Sequence, residues 1–201
     1  MSQKTEVANL AISHLGQGKE IANIDSDRSS EALTMKRYLP IAIQVVLKDF
    51  PHSFSNVTSE LALVEEQPND EWAFSYRYPT DCLQMLRILS GVRNDTRQSR
   101  VNYKIGKDVA GKLIYTDKED AVLEYTQNIT DTDRFPPDLT LALSFLLASL
   151  AAPRLTGEDP FKMGERAMNM YLLYKGKAEV SDANEEQQEE PPEAEAVRAR
   201  G

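Results

Sequence analysis

The sequence predicts an α+β fold: a helical bundle formed by N- and C-terminal helices, an inserted small antiparallel β-sheet, and an extended acidic C-terminal tail. Three observations predict it. Apolar residues recur at helical spacing at both ends of the chain. The middle third breaks into short β-branched and aromatic segments separated by turn residues. Residues 139–152 are apolar on nearly every side, so they need cover from more than one neighbour. The divisions fall at 1–54 for the N-terminal helices, 55–130 for the β insertion, 131–180 for the C-terminal helices and 181–201 for the tail.

The first helix is expected over residues 5–15, with Val7, Leu10, Ala11 and Leu15 on one face, Thr5 as its cap and Gly16 and Gly18 ending it. A second helix follows the Asp25-Ser26-Asp27 cluster and runs towards Phe50, its stripe made by Met35, Leu39, Ala42, Val46 and Phe50. Pro40 lies inside that stripe. It removes one backbone donor and crowds the preceding turn, so a kink or a break is expected there.

Strands are expected at 58–66, 72–78, 83–90, 101–105, 112–116 and 121–126, with a polar hairpin tip at 93–100. Helix resumes at Pro136-Pro137-Asp138, where proline suits a first turn and the acid complements the helix dipole. Pro153 is expected to stop this helix, Thr156 to Asp159 to turn, and Pro160 to open a last helix to about Val180. Its apolar members include Phe161, Ala167, Met168, Tyr171, Leu172 and Tyr174.

Composition narrows the function classes. With 41% hydrophobic residues among 201, the chain can bury a core. Its single cysteine, Cys82, permits no disulfide within the chain and suits a reducing cytoplasm. The opening MSQKTEVANLAISHLGQG lacks a basic stretch followed by an apolar core and a small-residue cleavage site, so no secretory signal is expected. The apolar run 139–152 falls short of the roughly 20 residues that span a bilayer, so no membrane partner is expected.

Net charge is −9, but seven acids against two arginines lie between Asp182 and Gly201, and the rest of the chain is only mildly acidic. No segment concentrates lysine and arginine as a phosphate-binding surface does. Sequence-specific nucleic-acid binding is not expected; a channel through which DNA slides without sticking is compatible with this charge.

The candidate chemistry is thin. Gly16-Gln17-Gly18-Lys19 follows a helix rather than a strand and continues with Glu20, so it reads as a helix C-cap and not a phosphate loop. Cys82 with His14 or His52 is the enzymatic alternative, yet Cys82 opens the apolar run CLQMLRIL and has the character of a small core residue. Two histidines and one cysteine do not make a usual zinc site, and Asp131-Thr132-Asp133 lacks the glycine and distal glutamate of a calcium loop. No catalytic residue, cofactor or metal is expected. Trp72, Phe74, Tyr76 and Tyr78 alternate, so on a strand they share one face, either a packed sheet face or an intersubunit surface. They are candidates for a subunit or tail interface, together with Arg93, Arg97 and Arg100 of the polar tip.

Taken in order, TEVANLAISHLGQGKEIANIDSDRSSEA, KDFPHSFS, EWAFSYRYPTDCLQMLRI, GKLIYTDKEDAVLEYTQNITDTDRFPPDL and the apolar helix ending LAAPRLTG resemble phage head–tail adaptors of the tail tubular protein A type. The resemblance covers roughly residues 4–178, and its specificity lies in the order and spacing of loose structural motifs. It implies a structural virion protein, not an enzyme. Such a protein assembles in the host bacterial cytoplasm as a twelve-fold ring beneath the portal, joins the portal to the tail nozzle or tube, and leaves a channel in which DNA only passes.

The sequence departs from the family at Pro40, where an unbroken helix is usual, and at His52, where an aromatic is common. The tail lies outside the resemblance; Val197, Arg198 and Arg200 are its candidates for gripping the portal, as connector subunits commonly use extended termini. Another neck component, a stopper or tail-completion protein, is the alternative within the same class, and a small cytoplasmic enzyme the alternative outside it.

Overall fold

The computed structural model describes residues 2–93, 99–157 and 159–185. Among these, four helices and two antiparallel sheets make a mixed α and β architecture. The helices are α1 (Gln3–His14), α2 (Ser30–Asp49), α3 (Pro137–Leu155) and α4 (Pro160–Glu185). The strands are β1 (Asn56–Glu60), β2 (Leu63–Glu66), β3 (Phe74–Arg77), β4 (Cys82–Ile88), β5 (Tyr103–Asp108), β6 (Gly111–Thr116) and β7 (Val122–Gln127).

Helix α1 begins at Gln3 rather than at Thr5, because Thr5 has a different task. Its side chain is buried, and Oγ1 accepts from the Ile24 amide at 3.2 Å. Asn9 bonds both the amide and the carbonyl of Ile21, at 2.8 and 3.0 Å. These two side chains fasten the connection after α1 back onto the helix, and Ile21 and Ile24 are buried there. Gly16, at φ 71°, takes the left-handed conformation that ends a helix at low cost.

Helix α2 is capped by Ser29, whose side chain accepts from the Ala32 amide. It continues through Pro40, correcting the expectation of a break. The reason is cooperative packing: Met35 and Leu39 before the proline and Ala42, Ile43, Val46 and Leu47 after it are all buried in one helical cluster. Pro40 itself is on the exposed side, where the bond it cannot make costs least.

Helix α3 packs against α1, α2 and α4. At 19 residues it is long and apolar enough, by length and composition, to cross a membrane, but much of its surface is taken up by those three helices. Pro153 does not stop it as expected; the helix runs to Leu155, and the amide and hydroxyl of Thr156 both bond the Ala152 carbonyl. Pro153 cannot bond the Ser149 carbonyl, which instead faces Gly164 of α4, where an added Cβ would lie 3.4 Å from it. The absent side chain lets the two helices approach closely.

Helix α4 also outruns its expected end at Val180. Asp182 is buried and accepts from the Ser53 amide and hydroxyl, at 3.1 and 2.7 Å, so the segment 181–185 belongs to the folded body rather than to the tail.

The expected single sheet is two. The segment 58–66, read as one strand, is divided between sheets at Leu61 and Ala62. The Leu61 amide bonds Ala121 in the sheet ordered β1-β7-β4, whereas Ala62 accepts from Arg77 in the sheet ordered β2-β3-β6-β5. Leu61, Tyr76, Ile88, Ile114 and Leu123 form a second hydrophobic cluster. Leu83 of β4 and Phe54 pack on the helical cluster and join sheet to helices.

Candidate interaction surfaces

The periodicity of α4 does not distinguish its two apolar arcs; the fold does. Ala167, Tyr171 and Ala178 turn inward and are buried. Phe161, Met168 and Leu172, seven and four residues apart, share a line about 100° round the helix from the buried one, Leu173 and Val180 lie further round, and all five are exposed. Phe161 is 81% exposed and Leu172 56%. The strip from Phe161 to Val180 is roughly 28 Å long at 1.5 Å per residue. A second strip lies on α2, where Leu33, Ile41 and Val45 are exposed at four- and eight-residue spacing around Arg37. Both strips are outward faces of helices whose inward faces already fill the helical cluster.

The four-stranded sheet offers a third surface. Its outer strands β2 and β5 are exposed along nearly their whole length, including Leu63, Val64 and Ile105. The β5–β6 hairpin is stiffened at its end: Asp108 accepts from the amides of Ala110 and Gly111, and both oxygens take the Arg77 guanidinium at 2.9 Å. Val109 stands fully exposed at this tip. A bidentate pair between residues 31 apart has no local signal, which is why the sequence located its hairpin tip at 93–100 and missed Val109.

The predicted interface residues separate. Tyr76 is 2% exposed, and Phe74 and Tyr78 pack on the same cluster, so these three rings serve the packed sheet face. The Tyr76 hydroxyl donates to the Lys118 carbonyl at 2.9 Å. Trp72 precedes β3 and is half-buried, its indole nitrogen shielded from solvent without an acceptor among the described residues. Arg93 and Arg100 are exposed at either side of the polar loop, while Arg97, Val197, Arg198 and Arg200 lie outside the described residues.

The titratable groups of the enzymatic alternative are not brought together. Cys82 donates to the Tyr78 hydroxyl at 3.2 Å beside the sheet cluster, and burial pushes its thiol up, which favours the poorly nucleophilic protonated form. His14 lies elsewhere, stacked 3.8 Å from Phe145, which in turn stacks 5.2 Å from Tyr174. This ring stack ties α1, α3 and α4 together, and the His14 Nε2 is 3.0 Å from the Ser144 hydroxyl. His52 is buried against Phe50 and Phe54. Burial holds both imidazoles below their ordinary value. Asp131 caps a short 3-10 turn through the Asp133 amide, and no group of three or more histidine, cysteine or acidic side chains among the described residues is placed to hold a metal.

A groove runs between the start of α1, Ile24-Asp25, the middle of α2 and residues 128–130, with a volume of about 270 Å³. Its floor is Ile24, Leu39, Pro40 and Ile43, and Lys4 and Lys36 stand at its rim. No protein-family model matches the chain, and no curated protein matches it.

Proposed function

We propose that the chain is a structural virion protein, a head-to-tail adaptor that forms a ring beneath the portal, joins it to the tail nozzle or tube, and leaves a channel for DNA. The observation that carries this reading is the pair of separate apolar strips on α2 and α4. A ring closes through heterologous contacts, in which one patch of each subunit meets a different patch of the next. Two non-overlapping apolar faces on a body whose core is already filled meet that requirement. An enzyme has no need of them.

The size of the strips also bears on assembly. A helix face roughly 28 Å long and about 10 Å wide is well below the ~800 Å² per partner of a standing interface. Lateral contacts of that size are weak between free subunits, because association entropy opposes them, and close when a template fixes the neighbours. In this reading the four helices act as one bundle that carries stability. The insertion 55–130 supplies subunit- or tail-facing surface, and an extended acidic arm from the C-terminus contacts the portal through Val197, Arg198 and Arg200. Twelve-fold symmetry, the virion location and assembly in the host cytoplasm follow from the resemblance of residues 4–178 to head–tail adaptors.

Electron microscopy of the purified chain, alone and mixed with the portal protein of its own phage, tests the reading. The expected outcome is monomers or small oligomers alone and rings on the portal. Binding to the tail tube but not to the portal would favour a stopper or tail-completion protein; binding to neither would overturn the proposal.

A further inference from the structure

The groove beside Pro40 has a chemistry that specifies its occupant. Ile24, Leu39 and Ile43 give it an apolar floor. Besides the Gln44 amide and the Thr130 hydroxyl, two kinds of polar group bear on a ligand. One is hydrogen-bond acceptors without donors: Asn128 Oδ1 is shielded from solvent with no partner among the described residues, and Pro40 brings no N–H to the Lys36 carbonyl. The other is cations: Lys4 and Lys36 stand over the groove, and neither is paired with a carboxylate among the described residues. Lys36 bonds only the Asp25 carbonyl, at 3.2 Å, and the Asp25 carboxylate is the one acid on the rim. A fitting ligand brings N–H donors, carboxylates and small apolar groups together, which describes an extended acidic peptide.

This chain carries such a peptide. Glu193-Ala194-Glu195-Ala196-Val197 alternates carboxylates with small apolar side chains. It also starts from the right place. Asp49 at the end of α2 holds Tyr171 and Lys175, and Ser53 holds Asp182, so α4 delivers the chain to that end of α2. Ser53, which holds Asp182, is at most about 27 Å from Pro40: four residues back to Asp49, about 13 Å when extended, and nine residues along α2, about 14 Å at the helical rise. From Asp182 the chain has three helical residues to Glu185 and then the seven residues 186–192, together up to about 28 Å. We infer that in the free chain the segment Glu193–Val197 docks in the groove of its own subunit, with its carboxylates on Lys4 and Lys36 and its amides on Asn128 Oδ1 and the Lys36 carbonyl. The inference stands independently of the adaptor reading.

Zero-length carbodiimide coupling of the full chain, followed by peptide mass spectrometry, tests it, since this reagent joins only amines and carboxylates in contact. Lys175 with Asp49 and Lys104 with Glu71, at 3.3 and 3.2 Å, are internal controls. The expected result is coupling of Lys4 and Lys36 to Glu193 and Glu195 in the monomer band, at a yield independent of protein concentration. Asn128→Leu and Val197→Ser leave every reactive group in place, and each should lower that yield about fivefold while sparing the controls. Three results would overturn the inference: control products without groove products, groove products confined to the dimer band, or yields indifferent to both substitutions.

Discussion

Leu172→Glu separates the folding of the subunit from its assembly. Leu172 lies in the middle of the outer α4 strip and is 56% exposed, so somewhat under half of its side chain is buried in the subunit. Full burial of a leucine contributes about 1.5–3 kcal/mol, so the fold loses about 1 kcal/mol at most. Glutamate is nearly as good a helix former as leucine and adds no backbone penalty on an exposed face. A loss of that size lowers Tm by about 2–4 °C in a protein of 150–250 residues.

A lateral contact loses more. The unburied part of the leucine is worth about 1 kcal/mol on association, and an unpaired carboxylate pressed into an apolar interface costs several kcal/mol besides. At tenfold per 1.4 kcal/mol, subunit contacts should weaken by at least about 100-fold. Circular dichroism melting and negative-stain counting of portal-bound rings read the two effects separately. Leu147→Ala, at a fully buried position of α3, is the contrasting case, with about 2–5 kcal/mol lost from the fold. Wild-type ring counts for Leu172→Glu would refute the assignment of this strip to lateral contact. A drop in Tm as large as that of Leu147→Ala would show that the strip is packed within the subunit.

Acidification should destabilise the fold through its two histidines. Burial lowers both pKa values in the folded state, so the unfolded chain binds protons more readily. The stabilisation is therefore complete above the unfolded value of about 6.5 and is lost as pH falls through the folded values, at up to about 1.4 kcal/mol per pH unit for each histidine. His52→Phe should flatten urea-derived stability between neutral and mildly acid pH, and a wild-type chain that gains stability on acidification would contradict the argument. Tyr171→Phe removes the hydroxyl that donates to Asp49 and should cost about 1.5 kcal/mol, or about 3–6 °C in Tm, because Lys175 still holds the carboxylate. Gly106→Ala would place a Cβ 2.3 Å from the Tyr115 ring, so that ring must swing off the hairpin. Faster hydrogen exchange confined to β5 and β6 is the expected signature, and unchanged protection there would show that the ring does not cover the strand.

Much of the helical part was legible because each helix advertises its buried face. Met35, Leu39, Ala42, Val46 and Phe50 were placed on one stripe of α2; the first four are buried, whereas Phe50 leaves the helix as its half-buried, extended C-cap. What failed was the treatment of single residues as decisive. Pro40 and Pro153 each forfeit one backbone bond, a loss of the order of 3 kcal/mol in a helix interior. A row of buried side chains on both sides of Pro40 exceeds that, and near the last turn at Pro153 little helix remained to lose. Composition misplaced the tail for a related reason: Asp182 opens an acidic run, yet the amide and hydroxyl of Ser53, distant in sequence, make it part of the body. Two sheets could not be told from one, since residues 58–66 keep strand character throughout and only the partners change at Leu61 and Ala62.

The interface candidates illustrate a deeper limit. Trp72, Phe74, Tyr76 and Tyr78 were chosen because aromatics at alternate positions share a face, but alternation places side chains together without fixing what lies opposite them. Here Tyr76 packs in one buried cluster with Leu61, Leu123 and its cross-strand neighbour Ile114, and Phe74 and Tyr78 pack against that cluster. The α4 strip had the converse problem. Phe161, Met168 and Leu172 were counted with Ala167 and Tyr171 as one apolar set, although at 100° per residue the two groups are centred about 100° apart and only the second is buried. A helix that is apolar on two arcs can turn only one of them onto its own core. Gly164, where an added Cβ would meet Ser149 and Ala152 of α3, and the small inward residue Ala167 three positions on let α4 lie close on α3. Tyr171 is as bulky as Phe161 and yet buried, and Met163 and Tyr174 pack on the same cluster, so position round the helix, and not side-chain size, separates the core arc from the exposed one.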